Sequence, residues 1–85
     1  MKWPVLANIE AEMSRASDRY GPFTSTHEAY GVLAEEVSEL LDEIRANDIE
    51  AIREEAIQVA AVAARLAALC RAGSPAFKIR SGCDG

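Results

Sequence analysis

Apolar residues recur along this chain every three or four positions, the spacing that collects them on one face of a helix. Val5, Leu6, Ile9 and Met13 follow Pro4, which suits a first helical turn, and Gly21-Pro22 forces a stop. Ser25-Thr26-His27-Glu28 has the S-x-x-E form of a capping box, in which serine and glutamate satisfy each other's orphan backbone donors. A second helix therefore starts there, with Tyr30, Leu33, Val37, Leu40, Leu41 and Ile44 on its stripe. Asn47 can close it and Asp48 can cap a third helix carrying Ile49, Ile52, Ala56, Val59, Ala60, Ala63, Leu66 and Cys70. Gly73 and Pro75 end the pattern. The spacing thus predicts an all-α chain, a short N-terminal helix and an antiparallel helical hairpin over residues 1–73, followed by a loose tail over 74–85.

Between Ala56 and Cys70 only Gln58 and Arg65 are polar, so the third helix is apolar nearly all round, as if covered on several sides. That stretch is shorter than the roughly 20 residues that span a bilayer, which predicts no membrane partner. Its alanines allow neighbouring helices to approach to the low end of about 8–10 Å. The expectation is a helical bundle completed by oligomerisation, as a homodimer or homotetramer. Tyr30 and Cys70 are read as core residues, Cys83 as a tail thiol, and Arg65 as an intersubunit ion-pair partner or a snorkelling cation.

With 85 residues the chain has room for one domain and a modest core. Hydrophobic residues at 49% and charged ones at 27% mark a globular chain rather than a disordered one. Nine basic residues against fourteen acidic ones give a net charge of −5, the wrong sign for coating a nucleic-acid polymer. An anionic partner would have to be met through a divalent cation held by carboxylates. Glu10 and Glu12 follow the N-terminus too closely for a secretory leader, so a cytoplasmic location is expected. The two cysteines match neither zinc spacing nor a disulfide framework.

The acids have a pattern of their own. Glu35-Glu36-Val37-Ser38-Glu39-Leu40 and Glu54-Glu55-Ala56-Ile57-Gln58-Val59 both read E-E-x-x-(E/Q)-aliphatic. At about 100° per residue, Glu36 and Glu55 each lie roughly 80° from the middle of their apolar stripes, half in and half out of the core. A hairpin turning at Asn47 sets Glu39 opposite Glu55 and Glu36 opposite Gln58. Carboxylates so placed repel one another unless protons or cations separate them. Oxygen ligands without histidine or cysteine favour Mg²⁺, with Mn²⁺ as the alternative, and Mg²⁺ characteristically bridges carboxylates to substrate phosphates. Gln58 can ligate through its amide oxygen or hydrogen-bond a bound water. Glu28, Glu35, Asp42, Glu50 and Glu54 read as a solvated face, and Glu43 as a rim charge.

Glu35-Glu36-x-x-Glu39 followed by Glu55-x-x-Gln58 resembles the EExxE…ExxD signature of the all-α nucleoside triphosphate pyrophosphatases, specifically MazG-like proteins of the small bacterial and phage type. The likeness extends to Tyr20-Gly21-Pro22-Phe23-Thr24-Ser25-x-His27-Glu28-x-Tyr30 and covers about residues 18–70. It implies a helical bundle assembled as a dimer or tetramer, and Mg²⁺-dependent cleavage of NTPs or dNTPs to the monophosphate and pyrophosphate. Residue by residue it implies metal-binding, catalytic roles for Glu36, Glu39 and Glu55, with Glu39 either a second ligand or the base that positions water. Gln58 stands where the signature has its last aspartate, which removes one negative charge.

Arg53, Lys78 and Arg80 are candidates to complement the phosphates, as is His27 at the positive end of the second helix. Trp3, Phe23 and Tyr30 are the aromatic side chains on which a base could stack, and each serves equally well as a core or interface residue. The activity expected is pyrophosphohydrolysis that cleanses the nucleotide pool. The competing readings are a catalytically degenerate nucleotide binder, which Gln58 favours, and a helical protein-interaction module.

Overall fold

The computed structural model describes residues 3–72 and contains three helices, α1 (Val5–Tyr20), α2 (Thr26–Ala46) and α3 (Ile49–Ala72), with no strand among the described residues. The expected tail, with Lys78, Arg80 and Cys83, lies outside them. Each boundary has a local cause. α1 starts at Pro4 and stops at Gly21, whose φ of 75° and ψ of −175° belong to glycine alone, while its N–H donates to the Ser17 carbonyl at 2.8 Å. Ser25 caps α2 by accepting from the Glu28 N–H at 3.0 Å. The reciprocal half of the capping box shifts by one residue, because the Glu28 carboxylate accepts from the Thr24 N–H at 2.6 Å and the Thr24 hydroxyl at 2.9 Å.

At the far end of α2, Asn47 adopts the left-handed conformation (φ 59°, ψ 35°) and its N–H reaches the Glu43 and Ile44 carbonyls. Asp48 then caps α3 by accepting from the Ala51 N–H at 3.1 Å. With a single residue in the left-handed region and one side-chain cap, the chain reverses within two residues, and α2 and α3 run antiparallel.

α3 is the central helix: α2 packs along one side of it and α1 along another, whereas α1 and α2 touch each other little. This accounts for much of the apolar circumference of α3 without a second subunit. The core comprises Ala16 of α1, Phe23 of the α1–α2 connection, Ala29 of α2, and Ala61 and Val62 of α3, with Val32, Leu33, Leu66 and Leu69 against it. Arg65 does not snorkel. It is partly buried, donates to the Gly21 carbonyl at 2.9 Å and lies 4.4 Å from the Phe23 ring centroid, pinning the end of α1 to α3.

Two core assignments are overturned. Tyr30 is 67% exposed and Cys70 is exposed. On α2 the side chains turned toward the chain's interior are Ala29, Val32, Leu33, Glu36, Leu40 and Glu43, whereas Tyr30, Val37, Leu41 and Ile44 are exposed. The helix therefore turns inward a seam containing two glutamates, and the seam one residue further round, which is more apolar, stays open.

Candidate metal centre

Glu36 and Glu39 project from the third and fourth turns of α2, and Glu55 projects from the second turn of α3. The antiparallel hairpin brings the three together, with one ligand oxygen from each within 4.8 Å of the others. Glu36 and Glu55 are half-buried and Glu39 is exposed, so the group has a closed side against the hairpin and an open side toward solvent. Glu55 meets both α2 acids, close to the register expected from the turn at Asn47.

Electrostatics concentrate on Glu55. Burial first, then its hydrogen bond to Glu36 and the charges of Glu36, Glu39 and Glu43, push its carboxyl up to about 8. At neutral pH it keeps a proton while the cluster holds no cation. Its Oε2 is buried without a hydrogen-bond partner. A hard cation would satisfy that oxygen and neutralise the repulsion together, so the donor set fits Mg²⁺ or Mn²⁺. Glu43 adds its charge to the field at Glu55 from one turn further along α2.

Beside the acids a cleft of about 310 Å³ runs between α1 and α2 over α3. Glu36 and Gln58 line its acidic end, Arg15 and Arg65 supply cations, and Tyr20 and Phe23 supply aromatic surface. Gln58 is turned toward α1, where with Arg15, the stronger partner, it holds the Glu12 carboxyl below the usual range. The Arg15 guanidinium clasps Glu12 through Nε at 3.0 and 3.1 Å and through Nη2. Glu12 and Arg15 are cleft residues that motif reading missed, whereas Tyr20 opens the Tyr20-Gly21-Pro22-Phe23 stretch but was given no site role. The one signal for Glu12 and Arg15 was an E-x-x-R pair one helical turn apart, which normally marks only a surface ion pair.

The expected phosphate-binding residues fare differently. Arg53 is exposed and donates to the Asn8 side chain of α1 at 3.3 Å, and neither it nor His27 lines the cleft. His27 is exposed on the first turn of α2, Phe23 is buried, and Trp3 is 64% exposed. Lys78 and Arg80 lie outside the described residues. No helix among the described residues is long and apolar enough to cross a membrane. No protein-family model, curated protein or solved structure matches this chain.

Proposed function

We propose that this chain is a Mg²⁺-dependent nucleoside triphosphate pyrophosphohydrolase, acting on free nucleotides in the cytoplasm. The observation that carries the proposal is the convergence of Glu36, Glu39 and Glu55, from two helices, around a buried and unsatisfied carboxylate oxygen. The EExxE…ExxQ likeness to MazG-like proteins supplies the reaction class.

In this reading Glu36, Glu39 and Glu55 hold the cation, which when bound supplies positive charge to the triphosphate and lowers the cost of developing charge on its oxygens. Arg65 and Arg15 border the same cleft and complement the phosphates, Arg15 by exchanging Glu12 for a phosphate oxygen. Tyr20, 68% exposed at the cleft, offers a face to the base. Glu39, the exposed acid, accepts a proton from the attacking water. Water adds its oxygen to phosphorus and the bridge between the α- and β-phosphates breaks, leaving the nucleoside monophosphate and pyrophosphate.

A second reading, nucleotide binding without turnover, is favoured by Gln58, which is neutral and turned toward Glu12. Pyrophosphate release from a panel of NTPs and dNTPs, with and without Mg²⁺ or Mn²⁺, distinguishes the two. Release that needs the metal and is lost in Glu39→Gln is expected. Metal and nucleotide binding without release selects the second reading, and absence of both overturns the assignment.

A further inference from the structure

The cleft beside the acidic cluster is closed on itself by a guanidinium. Arg15 lies side-on against Glu12: its Nε donates to the two carboxylate oxygens at 3.0 and 3.1 Å and its Nη2 donates to Oε2, so two adjacent N–H groups meet one carboxylate. Exposure divides the pair unequally, the Glu12 side chain being 14% exposed and that of Arg15 55%. Arg15 has open solvent beside it, whereas Glu12 is set into the cleft wall, with the Gln58 amide as its other neighbour. A carboxylate this enclosed that loses its donors is left as an uncompensated charge, and that costs far more than the pair contributes.

The pair therefore limits what the cleft can hold. In the proposed reaction Arg15 leaves Glu12 for a phosphate oxygen, so the ligand has to return donors to Glu12 where the guanidinium stood. A ligand guanidinium would exchange like for like and leave Arg15 without an anion. The ligand that satisfies both residues carries an anion at one end and, at the other, a neutral pair of adjacent N–H groups. Among the common nucleobases only guanine has such a pair, N1–H beside the N2 amino group, joined through one carbon as in a guanidinium. Adenine and cytosine set a ring-nitrogen acceptor beside their amino group, and uracil and thymine flank N3–H with carbonyls, so each turns a lone pair toward one Glu12 oxygen.

We infer that the cleft selects guanine nucleotides, Glu12 accepting from the base N1–H and N2–H in the place that the Arg15 guanidinium occupies in the free chain. Gln58 is the positioning residue of this arrangement. A carboxylate at that position would repel Glu12, whereas the Gln58 amide can donate to it. Tyr20, exposed at the same cleft, gives the base its stacking face. The inference rests on the reading of the cleft as a nucleotide site and is independent of turnover.

Binding of GMP, IMP, AMP, CMP and UMP to the full-length protein in Mg²⁺, measured by calorimetry, tests it, because a monophosphate has no bridge between α- and β-phosphates to break. IMP is GMP without the N2 amino group. GMP is expected to bind about tenfold or more tightly than IMP and each of the other three. Glu12→Gln, which turns one acceptor into a donor, is expected to bring GMP down to the affinity of IMP. Arg15→Ala, which frees Glu12 in the unbound chain, is expected to tighten the binding of guanosine. Equal affinities for GMP and IMP, or a guanine preference kept in Glu12→Gln, overturn the inference even if every NTP releases pyrophosphate in a metal-dependent way. A guanine preference without any release upholds it and sinks turnover alone. Absence of monophosphate binding also overturns it, and pyrophosphate release then judges the reaction by itself. Should Glu12→Gln fail to fold, the wild-type ratio of GMP to IMP affinity decides.

Discussion

Glu55 gives the sharpest expectation, because its carboxyl binds a proton more tightly in the folded chain than in the unfolded one. Its ordinary value of 4.5 is raised to about 8 by burial and by the neighbouring acids. Below pH 4.5 it is protonated in both states and contributes no pH dependence. Between 4.5 and about 8 the folded state holds more protons, so stability falls as pH rises, and above about 8 the loss is complete. At about 1.4 kcal/mol per pH unit, the ceiling over that window is about 5 kcal/mol. Glu12 and Glu28 are shifted the other way, Glu12 mainly by Arg15 and Glu28 by the Thr24 N–H, so their contributions are lost only as pH falls below 4.5 and do not overlap this window. The perturbation is Glu55→Gln, which keeps the shape and removes the titration. Urea unfolding of both proteins at one concentration and in chelator, from pH 5 to 8, should show wild type losing on the order of 1 kcal/mol per unit and the variant much less. Saturating Mg²⁺ should cancel the wild-type slope, and its binding at pH 7 should release about one proton per site, read by calorimetry in buffers of different ionisation enthalpy. Parallel pH curves for wild type and Glu55→Gln would refute the argument, for they would mean that the three carboxyls do not share a field.

Two further substitutions probe how the cleft is held open. Arg65→Met removes the hydrogen bond to the Gly21 carbonyl and the contact with the Phe23 ring and leaves the carbonyl unpaired, so a loss of about 2 kcal/mol and a fall in Tm on the order of 10 °C are expected by calorimetry. Gly21→Ala meets no neighbour within 4 Å, so its cost, about 1–3 kcal/mol in denaturant unfolding, comes from the backbone conformation alone. A neutral Gly21→Ala would show that the α1–α2 connection can relax to another path.

Much of the fold was legible because its signals are local. Pro4, Gly21, Ser25, Asn47 and Asp48 act on backbone groups within four residues of themselves, and both ends of α1, both ends of α2 and the start of α3 follow from them. The acidic cluster was legible for a related reason: a hairpin with a two-residue turn fixes the heights of both helices, so Glu39 and Glu55 had to meet. The cleft was not legible, since Glu12, Arg15 and Tyr20 reach it only through the packing of α1 on α3, which no spacing within α1 encodes. Tyr30 and Cys70 failed for a different reason. Periodicity reports that a helix has an apolar side, and says nothing of which neighbour covers it.

That distinction bears on why α2 is built as it is. A helix of 21 residues that must hold Glu36 against Glu55 turns a seam with carboxylates toward its own partner helix, and this weakens the packing between α2 and α3. No bulky side chain among the described residues is fully buried, so the single chain has little core with which to offset that cost. The apolar seam does not share the side of the acids, which opens to solvent at Glu39. With Tyr30, Val37, Leu41 and Ile44 one position further round, the acids keep an open cleft and the more apolar seam of α2 stays exposed. The exposed apolar seam and the acidic group occupy different faces of the same helix, so Val37→Glu should leave Mg²⁺-dependent proton release intact by the same calorimetry, and its loss would show that the two faces are coupled.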